Sequence, residues 1–74
     1  MVAKMWTYRT SNGLWSISQK DKRFILLFNG EWLCEGTSIE HIFYKIANAT
    51  TRTPSIGILP RELVPCDISE WEMN

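Results

Sequence analysis

The chain has 74 residues, eight Lys+Arg balanced by eight Asp+Glu, 45% apolar residues and four tryptophans. That length allows one small domain, residues 1–74, and that apolar content excludes a disordered chain. The formal net charge of +0 excludes a global field drawing the protein to nucleic acid or to an anionic membrane.

Residues 1–36 read as β-hairpins. Residues 5–9 alternate weakly and form a candidate amino-terminal strand entering the turn at Ser11-Asn12-Gly13. Residues 14–18, Leu-Trp-Ser-Ile-Ser, alternate clearly, and the polar stretch Gln19-Lys20-Asp21-Lys22 follows as a turn. A four-residue turn there pairs Ile17 with Phe24 and Trp15 with Leu26. The strongest local signal is Asn29-Gly30 between two apolar runs. Both central residues of a type I′ hairpin turn need positive φ, and Asn-Gly is the preferred pair. Phe28 then opposes Glu31, Leu27 opposes Trp32, Leu26 opposes Leu33 and Ile25 opposes Cys34.

Residues 37–49 read as a helix. Thr37-Ser-Ile-Glu40 fits a capping box, with the Thr37 hydroxyl as cap and Glu40 reaching back. Ile39, Ile42, Phe43 and Ile46 fall on one helical stripe, so the helix is predicted over residues 38–48. In residues 50–74, Pro54, Gly57, Pro60 and Pro65 bar any long regular element. The same stretch carries Ile56, Ile58, Leu59, Leu63, Val64, Ile68 and Trp71, too apolar for a free linker, so it is expected to fold back on the sheet.

The expected fold is therefore α+β. A three-stranded antiparallel sheet, with a fourth amino-terminal strand left open, packs on one α-helix and carries a proline-containing tail. One sheet face holds Trp15, Ile17, Phe24, Leu26, Phe28 and Leu33. The other holds Leu14, Ile25, Leu27, Trp32 and Cys34. One helix covers one face, and a central strand apolar on both sides is normally buried on both. The tail, the amino-terminal strand, a second copy or a foreign partner are the candidates for the second face.

No constellation of catalytic residues is legible. His41 is the one histidine, too few ligands for a metal site. Cys34 with His41 is a conceivable nucleophile and base, but Cys34 is expected on the face away from the helix, and a buried structural cysteine is the simpler reading. Glu31 and Glu35 are expected on one face of one strand, ~13 Å apart at strand rise, too wide for paired-carboxylate hydrolysis. No Gly-rich phosphate loop is present. No enzyme activity, cofactor or metal is expected. Two cysteines, Cys34 and Cys66, are fewer than a secreted domain this small uses, and no apolar run approaches a bilayer span. The amino terminus lacks the charged and apolar regions of a signal peptide. A soluble protein of the reducing cytoplasm with free thiols is expected, a single disulfide remaining open from sequence.

The runs Gly13-Leu-Trp-Ser-Ile, Lys22-Arg-Phe-Ile-Leu, Asn29-Gly-Glu-Trp-Leu and Thr37-Ser-Ile-Glu resemble the strand-strand-strand-helix pattern of two DNA-binding groups. These are plant ethylene-response domains and the arm-binding domain of phage integrases. The resemblance covers residues 13–49 and implies a sheet laid in the major groove. The groove-reading face in those domains carries several arginines, where this chain has Leu14, Ile25, Leu27, Trp32 and Cys34. Leu59-Pro-Arg-Glu-Leu and Ser69-Glu-Trp-Glu are similar to the endings of small bacterial and phage proteins, which implies an accessory protein.

The expected function is a non-catalytic protein-interaction module, with a homodimer as one form of it. Leu14, Ile25, Leu27, Trp32 and Trp71 are the candidate contacts, because buried aromatic anchors dominate interfaces. The alternative is nucleic-acid binding, with Arg9, Lys20, Lys22 and Arg23 on phosphates. No membrane partner is expected.

Overall fold

The computed structural model describes residues 4–73. Its element order is β1 (Met5–Thr10), β2 (Gly13–Lys20), β3 (Arg23–Phe28), β4 (Glu31–Gly36), α1 (Ile39–Ala47), two short 3-10 turns (Pro60–Glu62 and Ile68–Glu70) and β5 (Glu72–Met73). The five strands form one antiparallel sheet in the order β4-β3-β2-β1-β5. The fold is α+β, but the sheet exceeds the expected three strands at both ends of the chain. β1 pairs with β2 over its full length, and the tail adds β5 beside β1.

The turns follow from residue chemistry. Asn29 and Gly30 have φ of 50° and 86°, the two positive values a type I′ turn requires. The Asn29 side chain does more than turn the chain. Its Oδ1 accepts from the Leu14 N–H at 2.9 Å and lies over Gly13, where a Cβ would come within 2.7 Å of it. The β1–β2 and β3–β4 turns are thereby tied together. The β2–β3 turn is two residues tighter than expected: Lys20 pairs with Arg23, and Asp21 has φ 57°. Ile17 therefore opposes Leu26, and Trp15 opposes Phe28. A slip of two residues preserves the pleat, so every side chain keeps its expected face.

A slip of one residue does not. Leu27 opposes Trp32, but Leu26 opposes Cys34, so Leu33 is the extra residue of a β-bulge. Leu33 and Cys34 are both buried in the core. Downstream of the bulge the register is inverted. Cys34 is not on the second face, and Glu35, opposite Ile25, is. Glu31, opposite Phe28, stays on the core face, so the two carboxylates lie on opposite faces.

The helix packs its Ile42 and Ile46 against Trp15, Ile17, Leu26, Phe28 and Leu33. Its cap lies one residue later than the sequence suggested. Ser38 Oγ accepts from the His41 N–H at 3.0 Å, and His41 Nδ1 accepts from the Thr37 N–H at 3.3 Å. A histidine thus takes the reciprocal role expected of Glu40. The helix ends at Ala47, followed by Ala49 in the left-handed region at φ 56°. Ala49 N–H bonds Ile46 O and Thr50 N–H bonds Lys45 O, the two bonds of a Schellman motif.

The tail returns on the helix side of the sheet. Trp71 is buried, with its ring 5.6 Å from Tyr8 and 6.0 Å from Phe43, and its Nε1–H donates to Pro65 O at 3.1 Å. Val64 joins the same core, with Leu63 and Ile68 packed against it. Helix and tail therefore share one face.

Candidate interaction face

The opposite face is left without a covering element among the described residues. Strand register places Met5, Thr7 and Arg9 of β1 there, with Leu14, Ser16, Ser18 and Lys20 of β2. Arg23, Ile25 and Leu27 of β3, Trp32 and Glu35 of β4, and Glu72 of β5 complete it. Neither Leu14, Ile25, Leu27 nor Trp32 belongs to the core or packs against it. Trp32 is 45% exposed, whereas Trp15 is 0% and Trp71 5% exposed. Of the five interface candidates, the register brings Leu14, Ile25, Leu27 and Trp32 onto this one face. Trp71 is the exception: Tyr8 and Phe43 hold it in the core, because the tail crosses on the helix side.

The face has a defined relief. Ser16 and Thr7, opposite each other at the centre, are small and buried between larger neighbours. Leu27, Ile25 and Trp32 form an apolar ridge on one side. Across the trough, Thr7, Tyr8, Arg9, Leu14, Glu70 and Glu72 line a depression of about 360 Å³. Arg23 Nη1 meets Glu35 Oε2 at 3.3 Å, an exposed pair worth at most ~1 kcal/mol. Sequence pattern put Glu35 on the same face as Glu31 and gave no position for Glu72. The bulge that exposes Glu35 has no local signature, and the β1–β5 pairing joins opposite ends of the chain.

The four candidate nucleic-acid residues do not form one cluster. Lys20, Lys22 and Arg23 sit at the β2–β3 turn, while Arg9 opposes Leu14 near the other end of β2. Six residues of strand separate the two ends, ~20 Å. Arg23 is also engaged by Glu35.

The sheet edges are less accessible than its face. On the outer edge of β4, Arg52 N–H bonds Leu33 O at 3.0 Å and Lys45 Nζ bonds Glu35 O at 2.8 Å. The edge strand β5 offers only two residues. An added strand would find little free ladder on the β4 side.

Glu31 and Glu35 lie on opposite faces of the sheet. Cys34 is buried, and burial pushes its thiol up to about 11 despite the opposing pull of Lys45. His41 Nδ1 is engaged by Thr37. Cys66 is exposed, and both thiols are free. Among the described residues, no group of three or more His, Cys, Asp and Glu is placed to hold a metal, and no helix is long and apolar enough to cross a membrane. The chain matches no family model, no curated protein and no solved structure.

Proposed function

We propose that the protein is a non-catalytic protein-interaction module whose contact surface is the open sheet face, with Leu14, Ile25, Leu27 and Trp32 at its centre. The observation that carries this reading is Trp32. A tryptophan 45% exposed on a strand, at the end of an apolar ridge that no element covers among the described residues, keeps a large apolar area in water. Burying such a side chain against a partner pocket is what makes tryptophan a dominant interface residue. The capped edge of β4 favours docking on the face over strand addition at that edge. The proposed setting is the reducing cytoplasm, with the protein as an accessory factor of the bacterial or phage kind its sequence resembles.

The test is affinity capture with the wild-type chain and with Trp32→Ser, each with and without nuclease. The reading expects a protein partner that survives nuclease and is lost with a folded Trp32→Ser variant. A partner that Trp32→Ser retains, or one released by nuclease, would overturn it. The second of these outcomes would transfer the function to Lys20, Lys22 and Arg23.

A further inference from the structure

The open face maps onto itself. The register arranges it in rows along the strands, ~6.6 Å apart for alternate residues, and columns ~4.8 Å apart for adjacent strands. One end row holds Arg23 and Lys20, and the next holds Glu35, Ile25, Ser18 and Met5. The third row holds Trp32, Leu27, Ser16, Thr7 and Glu72, and the last holds Leu14 and Arg9. Four rows and five columns make a nearly square patch, ~20 Å by ~19 Å. Its two cationic corners and two anionic edges are not placed at random.

A face-to-face pair related by a two-fold axis in the interface plane brings each residue onto the mirror position of the map. An axis along the strands sets Trp32 over Glu72 and Lys20 over Lys20. An axis across the strands sets Trp32 over Glu35 and Lys20 over Leu14. Both leave the tryptophan against a carboxylate. Of the two diagonal axes, which exchange rows for columns, one sets Glu35 over Arg23 and Trp32 beside Lys20, and the other gives a different result. Leu27 falls on Leu27, Trp32 falls beside Leu14, Glu35 falls on Arg9 and Arg23 falls on Glu72. Strands then cross at near right angles, one of the two preferred ways that sheets stack. A near-square patch is fully superposed by a diagonal axis, which gives a small face the greatest burial it can reach.

We infer that the occupant of the open face is a second copy of this chain, packed orthogonally, with Glu35 of each copy against Arg9 of the other. This deepens the proposed function and rests on it, since it assigns the same face a particular partner. Arg9 and Glu35 lie three strands apart within one copy, so a contact between them reports the pair of chains and not the monomer.

Sedimentation equilibrium of the full chain across a wide concentration range tests the assignment, with circular dichroism confirming that each variant is folded. The wild type is expected to dimerise. Arg9→Glu and Glu35→Arg are each expected to weaken the dimer at least ~10-fold, and the double exchange to restore it, because the opposite charges meet again with their signs reversed. A wild type that stays monomeric throughout overturns the second copy. The face itself would still stand as a docking site if Trp32→Ser abolishes capture of a different protein. A dimer in which the double exchange is no tighter than the singles overturns the orthogonal geometry. A dimer that Trp32→Ser leaves unchanged overturns this face as its interface.

Discussion

Leu33 and Cys34 are consecutive in the chain, yet both are buried in the same core opposite Leu26. In a regular strand one of them would face the other side. The bulge that admits both turns Glu35 out to the open face, where it meets Arg23. A buried thiol thus stands one strand position from a charge on the open face.

The bulge gives the two cysteines different chemistry. Iodoacetamide is expected to modify exposed Cys66 in the native protein and to spare Cys34, as mass spectrometry of the labelled chain would show. Burial raises the Cys34 thiol from its ordinary 9.0 to about 11. Between those values the unfolded chain has lost a proton that the folded chain still holds, so stability falls as pH rises. The loss attributable to this group is on the order of 2 kcal/mol. Denaturation of Cys34→Ala across pH 9 to 11 should show a shallower decline than the wild type, and equal slopes would refute the assignment.

Two tryptophans should differ sharply when removed. Trp71 holds the tail to β1 and α1 through Tyr8, Phe43 and Pro65. Trp71→Ala is expected to cost ~3–5 kcal/mol, against a total of ~4–11 kcal/mol for a domain of this length. Thermal unfolding at low protein concentration should show a drop in Tm of well over ~10 °C. Trp32→Ser, at an exposed position, should cost under ~1 kcal/mol in the same measurement.

Ala49 terminates the helix in a conformation suited to glycine, at φ 56°. A left-handed backbone costs a residue with a Cβ ~1–2 kcal/mol. Part of that is regained in Ala49→Gly after allowing for the greater freedom of unfolded glycine, so a gain of ~0.5–1 kcal/mol is expected. Urea unfolding should show a higher midpoint with an unchanged slope.

The helix cap discriminates between neighbours. Ser38→Ala removes the acceptor for His41 N–H and should cost ~1 kcal/mol, whereas Ser38→Asp should retain most of it. Thr37→Ala should be nearly neutral, because Thr37 contributes its backbone N–H and not its hydroxyl to this cap. A larger loss at Thr37 than at Ser38 in chemical denaturation would contradict the geometry.

Much of this architecture is local and so was legible in advance. Asn29-Gly30 demands a type I′ turn wherever it falls between strands, and the stripe of Ile42, Phe43 and Ile46 demands a helix with one buried side. Alternation in β2 and β3 assigned Trp15, Ile17, Leu26 and Phe28 to one face and Leu14, Ile25 and Leu27 to the other. Those assignments survived a two-residue error in turn length because the pleat repeats every two residues. The sequence by itself therefore determined the three central strands, the helix and the sides on which the apolar residues of β2 and β3 lie.

The tertiary structure decided what depends on pairing between distant segments. The one-residue bulge at Leu33 moved Cys34 inward and Glu35 outward, and no residue type announces such a bulge, since Leu-Cys-Glu fits either register. The pairing of Glu72 with Thr7 and the packing of Trp71 on Tyr8 join the two ends of the chain. Loop-closure entropy disfavours that contact until the rest of the sheet is formed. Which side of the sheet the tail crosses is a choice between two apolar faces. It is settled by the summed packing of Val64, Trp71 and Phe43, and not by any pattern within the tail.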